Sequence, residues 1–113
     1  RKEDDLNLIP ASDRIVTLDD NDPKVIKARE ALDRVAEEVR ANNAYAESEP
    51  GDWAQRRAES EASKQLFSAP RISVEAIKGV TLKFLEHLAK KFVDHAIGIA
   101  AAGAIAAILA LIG

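Results

Sequence analysis

The residues AIGIAAAGAIAAILALIG, from Ala96 to Gly113, carry no charged and no hydrogen-bonding side chain, in a chain whose composition is 31% charged. A stretch of that kind must leave water on more than one side. It can cross a bilayer, form the buried centre of an oligomer, or lie along an interface. As a helix it spans roughly 27 Å at 1.5 Å per residue, slightly under the ~30 Å hydrocarbon core of a membrane. Its five Ile and two Leu contribute about 2 to 4 kcal/mol of insertion free energy, while the Ala and Gly residues add little. Membrane spanning is the reading this length favours.

At 100° per residue the segment has two faces. Ile97, Ile105, Ile108, Leu109 and Ile112 fall together, opposite Ala100, Gly103, Ala106, Ala107 and Ala110. Gly103 with Ala107, and Ala106 with Ala110, are small residues four apart, a spacing that lets helix backbones approach closely in lipid. Self-association through this helix is therefore expected. In a soluble protein the same helix would instead be a buried oligomer core.

The flank is basic. Lys78, Lys83, Lys90 and Lys91 precede the apolar run, where positive-inside bias and anionic headgroups would hold the head on the cytoplasmic side. The net charge of −3 hides this division: after residue 61 the only acids are Glu75, Glu86 and Asp94, against Lys64, Arg71 and the same four lysines. A length of 113 residues suits one domain, and without the tail the head is too small for a generous core of its own. The absence of Cys excludes a disulfide framework and thiolate metal sites. A chain that starts at Arg1 and contains no Met reads as a processed piece.

Upstream, residues 1–21 are charged and Pro-punctuated, with one short β-like run from Arg14 to Leu18, and read as an extended arm. Asp22 is a good N-cap and Pro23 suits a first helical position, so a helix should begin there. Val25, Ala28, Leu32, Val35 and Val39 then recur at steps of three and four. This seam is too short for an autonomous coiled coil and fits a small bundle. Asn42 and Asn43 end the helix, AESEPGD reads as a loop, and Asp52 should cap a second helix with a thin stripe of Ala54, Ala58, Ala62 and Leu66 between Trp53 and Phe67. Pro70 interrupts it and Ser73 can cap the next. Val74, Ile77, Thr81, Phe84, Leu85, Leu88 and Phe92 share one face, which predicts one long helix, or two nearly collinear ones, from Ser73 to the C-terminus.

The search for chemistry is mostly negative. No Gly-rich phosphate loop, HExxH or nucleophile beside a His is present. His87 and His95 lie two turns apart and could not share a metal without further ligands. The run Asp19, Asp20, Asn21, Asp22 lacks the Gly and distal Glu of a calcium loop and reads as a turn leading into an N-cap. An acidic head without a basic aromatic groove disfavours nucleic acid.

The stretches IPASDRIVTLDDNDP, EVRANNAY and APRISVEAI resemble a family of short bacterial proteins with a helical head and a hydrophobic C-terminal end. The resemblance covers the chain from Ile9 onward. It implies a bacterial source and one continuous domain, and it carries no function across. Relatives of that kind are expected to carry an occasional Lys among the Ala residues of the tail, which this chain lacks.

The expected architecture is thus all-α: an extended arm over 1–21, a helical head of two to three helices over 22–95, and a hydrophobic C-terminal helix over 96–113 that serves as a membrane anchor. The expected function is a non-enzymatic accessory subunit, adaptor or membrane effector at the bacterial inner membrane with a cytoplasmic head. It would be self-associating or part of a larger complex, with neither cofactor nor metal and with no nucleic acid or small-molecule substrate as partner. A pore ranks below an anchor, since Gly103, Ala106, Ala107 and Ala110 would line only a dewetting-prone one. The alternative is a soluble, cytoplasmic helical interaction module built around the same tail.

Overall fold

The computed structural model describes residues 14–113, and over them the chain is mostly helical. Most of the arm expected over 1–21 lies outside the described residues. Its β-like run forms strand β1, Ile15–Thr17, which pairs antiparallel with β2, Arg71–Ser73, Val16 standing opposite Ile72. Helix α1, Pro23–Arg40, starts where expected: the Asp22 carboxylate accepts the Lys24 N–H at 2.9 Å, and Pro23 occupies the first turn. The whole seam Val25, Ala28, Leu32, Val35 and Val39 is buried.

Helix α2, Asn43–Ser48, occupies much of the stretch expected to be a loop. Asn42 does more than end α1: its side-chain oxygen accepts the Tyr45 N–H at 2.9 Å and so starts a new turn. Helix α3, Pro50–Ser68, follows after the single residue Glu49, because Pro lacks only an N–H that a first turn leaves unpaired anyway. Asp52 is therefore inside α3 and does not cap it.

The buried face of α3 also differs from expectation. Ser60, Ser63 and Phe67 point inward, whereas Ala54, Ala58 and Ala62 are exposed and Leu66 is half-buried. Groups stronger than alanine methyls set the rotation of this helix. The Trp53 indole donates to the Val39 carbonyl at 2.9 Å, Phe67 fills the core, and the Thr81 hydroxyl bonds that of Ser63 at 3.1 Å, satisfying both buried groups.

Helix α4, Val74–Ala76, capped by Ser73, runs directly into a π-helical segment, Ile77–Leu82, and then helix α5, Lys83–Lys91. The wider π turn brings both Thr81 and Leu82 inward before Phe84, Leu85 and Leu88 continue the buried face.

The expected collinear run to the C-terminus is not what forms. The chain leaves helical geometry at Phe92 (φ −117°, ψ 46°) and passes through a left-handed Asp94 (φ 61°). It then re-enters as α6, Ala96–Ile112, which folds back against α1 and α5. Asp tolerates the left-handed region because its short polar side chain bonds locally. The Phe92 ring meets Tyr45 edge-on at 4.8 Å, and His95 Nδ1 accepts the Ile97 N–H at 3.1 Å, capping α6. Only Gly fits at 98, since a Cβ there would lie 1.9 Å from the Phe92 carbonyl oxygen. Helix α6 thus closes the core with Ile97, Ala100, Ala101, Ala104, Ala107 and Ile108.

Candidate association surface

Burying one side of a helix that has no polar side chains leaves an apolar surface on the other. On α6 this outer side consists of Ile99, 66% exposed, and Leu109, 52% exposed, with Ala102, Gly103, Ala106 and Ala110 around and between them. A helix face normally meets water through charged or polar groups, and these six neighbouring apolar positions include none, which makes the face a candidate contact surface. Val93, in the turn before α6, is also exposed, at 68%.

The two faces read from the sequence are regrouped by the fold. Ile97, Ala107 and Ile108 are buried, Ile105 and Ile112 are half-buried, and Gly103, Ala106, Leu109 and Ala110 face outward. The division into bulky and small sides fails at Leu109 and at the buried Ala100 and Ala107, because α6 meets α1 through small residues that permit close approach. Lys78, Lys83 and Lys90 are exposed, while Lys91 pairs with Glu49 at 2.9 Å. The seam Val25, Leu32, Val35 and Val39 is core and offers no surface. No helix among the described residues is long and apolar enough to cross a membrane.

Sequence spacing pairs Arg56 with Glu59 but does not reveal the polar cluster built around them. The Tyr45 hydroxyl donates to Asp52, and the Arg56 guanidinium bonds Asp52 at 3.1 Å and also Glu59. The hydroxyl given by Tyr45, helped by Arg56, holds the Asp52 carboxyl below its ordinary value, and burial, followed by that carboxylate, pushes the Tyr45 phenol up. His87 Nε2 lies 3.8 Å from Asp52 and is buried without a hydrogen-bond partner. The one-turn spacing of Asp52 and Arg56 was a visible signal, but the contribution of Tyr45 depends on the unforeseen α2. The cluster ties α2 to α3, with His87 of α5 lying against it. Among the described residues no group of three or more His, Asp or Glu is placed to hold a metal ion.

No family model, curated protein or solved structure matches the chain.

Proposed function

We propose that this chain is a non-enzymatic helical association module that binds through the outer face of α6. One observation carries the reading: α6 has an inner face spent on the core and an outer face, Ile99 to Ala110, that is wholly apolar and that no other described residue covers. The small residues Ala102, Gly103 and Ala106 between Ile99 and Leu109 let another apolar element approach the backbone closely. Sedimentation of the full chain over a range of concentrations tests this, together with the exposed substitution Ala106→Lys. Assembly that grows with concentration and is lost in the variant supports the proposal, whereas a wild-type chain that stays at monomer mass throughout overturns it.

A second reading, a membrane-facing role for the same surface, is favoured by the complete lack of polar side chains from Ala96 to Gly113 and by the exposed Lys90 shortly before it in sequence. Flotation with anionic vesicles tests it, and recovery of the protein only in the lipid-free fraction would count against it.

A further inference from the structure

The alanine side of α3, which faces solvent, is continuous with a concavity elsewhere on the head. Ala62 and Leu66 of α3, with Ala69 just after it, form one wall, and Ala76 with Val80, 37% exposed, forms the other, above a floor of Ile72 and Ser73. The groove is shallow and open to solvent, with a volume of about 580 Å³. Gln65 and the exposed Arg71 stand on its rim and are the only lining residues with long polar side chains. Helix α6 packs on α1 and α5, whereas the groove lies between α3 and the segment Val74–Leu82. One molecule therefore presents a convex apolar ridge and a concave apolar groove on different elements.

Resting on the reading of α6 as the association face, we propose that its occupant is the groove of a second copy: the ridge Ile99 to Leu109 of one molecule seats between α3 and Val80 of the next. Three features select this occupant. The lining is apolar apart from Gln65, Ser73 and Arg71, so an incoming helix with a lysine or arginine on its docking face would lose hydration without a partner, and α6 has none. The ridge is roughly 15 Å long at 1.5 Å per residue, comparable with the roughly 10 Å of α3 between Ala62 and Ala69 plus the floor beyond it. Arg71 on the rim suits the negative end of an incoming helix, which fixes the direction of seating. A contact between two different surfaces is heterologous, so it runs on from copy to copy or closes into a ring, and it does not stop at a two-fold dimer.

Complementation between full-length variants tests the proposal. Ala106→Lys blocks the ridge, and Val80→Lys, or independently Ala62→Lys, blocks the groove. All three positions are exposed, and unchanged circular dichroism confirms folding. Each variant alone should lose assembly about tenfold or more, as expected for a charge left in an apolar contact. A ridge-blocked and a groove-blocked chain mixed in equal amounts should form a one-to-one dimer and nothing larger, because one intact ridge meets one intact groove. If both groove variants assemble like wild type while Ala106→Lys does not, the groove is not the partner surface and this inference falls, although α6 remains the association face. If the wild-type chain itself stays monomeric, both readings fall together.

Discussion

Two glycines of α6 should answer the same substitution with opposite signs. Replacing a helical Gly by Ala ordinarily stabilises a protein by about 0.5 to 1 kcal/mol, because the unfolded chain loses freedom and the helix gains a better former. Gly103 is on the outer face, and a methyl added there would meet nothing within 4 Å, so Gly103→Ala should follow this rule. Gly98 is different: its Cβ would stand 1.9 Å from the Phe92 carbonyl oxygen and 2.7 Å from the carbonyl carbon. Backbone atoms cannot swing aside as a flexible side chain does, so α6 or the turn at Phe92 must shift by more than an ångström to reach even 3.0 Å. Overpacking of this kind typically costs about 1 to 3 kcal/mol and here acts against the helix that closes the core. Gly98→Ala should therefore be destabilising by about 1 to 3 kcal/mol while Gly103→Ala is neutral to stabilising. Urea midpoints of both variants at one low protein concentration, where association is minimal, provide the comparison. A Gly98→Ala chain as stable as Gly103→Ala would refute the close approach of α6 to Phe92, and with it the turn that folds the apolar helix back.

Other substitutions probe other contacts. Ile108→Ala, at a fully buried position, should cost about 2 to 5 kcal/mol in thermal or chemical unfolding, and a small effect would mean that α6 does not pack on the head. Thr81→Val leaves the buried Ser63 hydroxyl without its partner and should cost about 1 to 3 kcal/mol, much of which the double variant Ser63→Ala/Thr81→Val should recover. Asp52 has a lowered folded pKa, so its stabilisation is fully present above the unfolded value of 3.8 and is lost as pH falls through the folded one. The urea midpoint should decline below about pH 4, and Asp52→Asn should remove part of that decline; an identical acid limb in the variant would show that the contact with Tyr45 and Arg56 does not form.

What was legible in the sequence follows bulk. The seam of α1 and the face from Val74 to Leu88 are spaced large apolar residues, and both are buried as their periodicity implied. Alanine spacing misled, because Ala54, Ala58 and Ala62 gain too little by burial to outweigh Trp53, Phe67 and a serine–threonine bond across to the π segment. The reversal before α6 was hidden for another reason. Neither Pro nor Gly stands between Phe92 and His95, and the constraint that betrays the turn, a glycine at 98, sits inside the following helix and has meaning only once the Phe92 carbonyl is placed against it. The outer face of α6 inherited this difficulty: its residues lie in the uncharged stretch from Ala96 to Gly113, but which of them face outward depends on how α6 docks.

The packing of α6 against α1 has a consequence for biosynthesis. Among the described residues α1 finds its principal neighbour in α6, translated long after it, so its apolar seam waits while the intervening chain leaves the ribosome. During that interval an apolar seam and a nascent head without its last wall are open to chaperones and to other nascent chains. Ribosome-bound chains stalled with only the residues up to Lys91 exposed should accordingly be cut rapidly by protease within α1, and chains stalled after α6 has emerged should resist. Early resistance in the shorter chains would show that the head closes without α6.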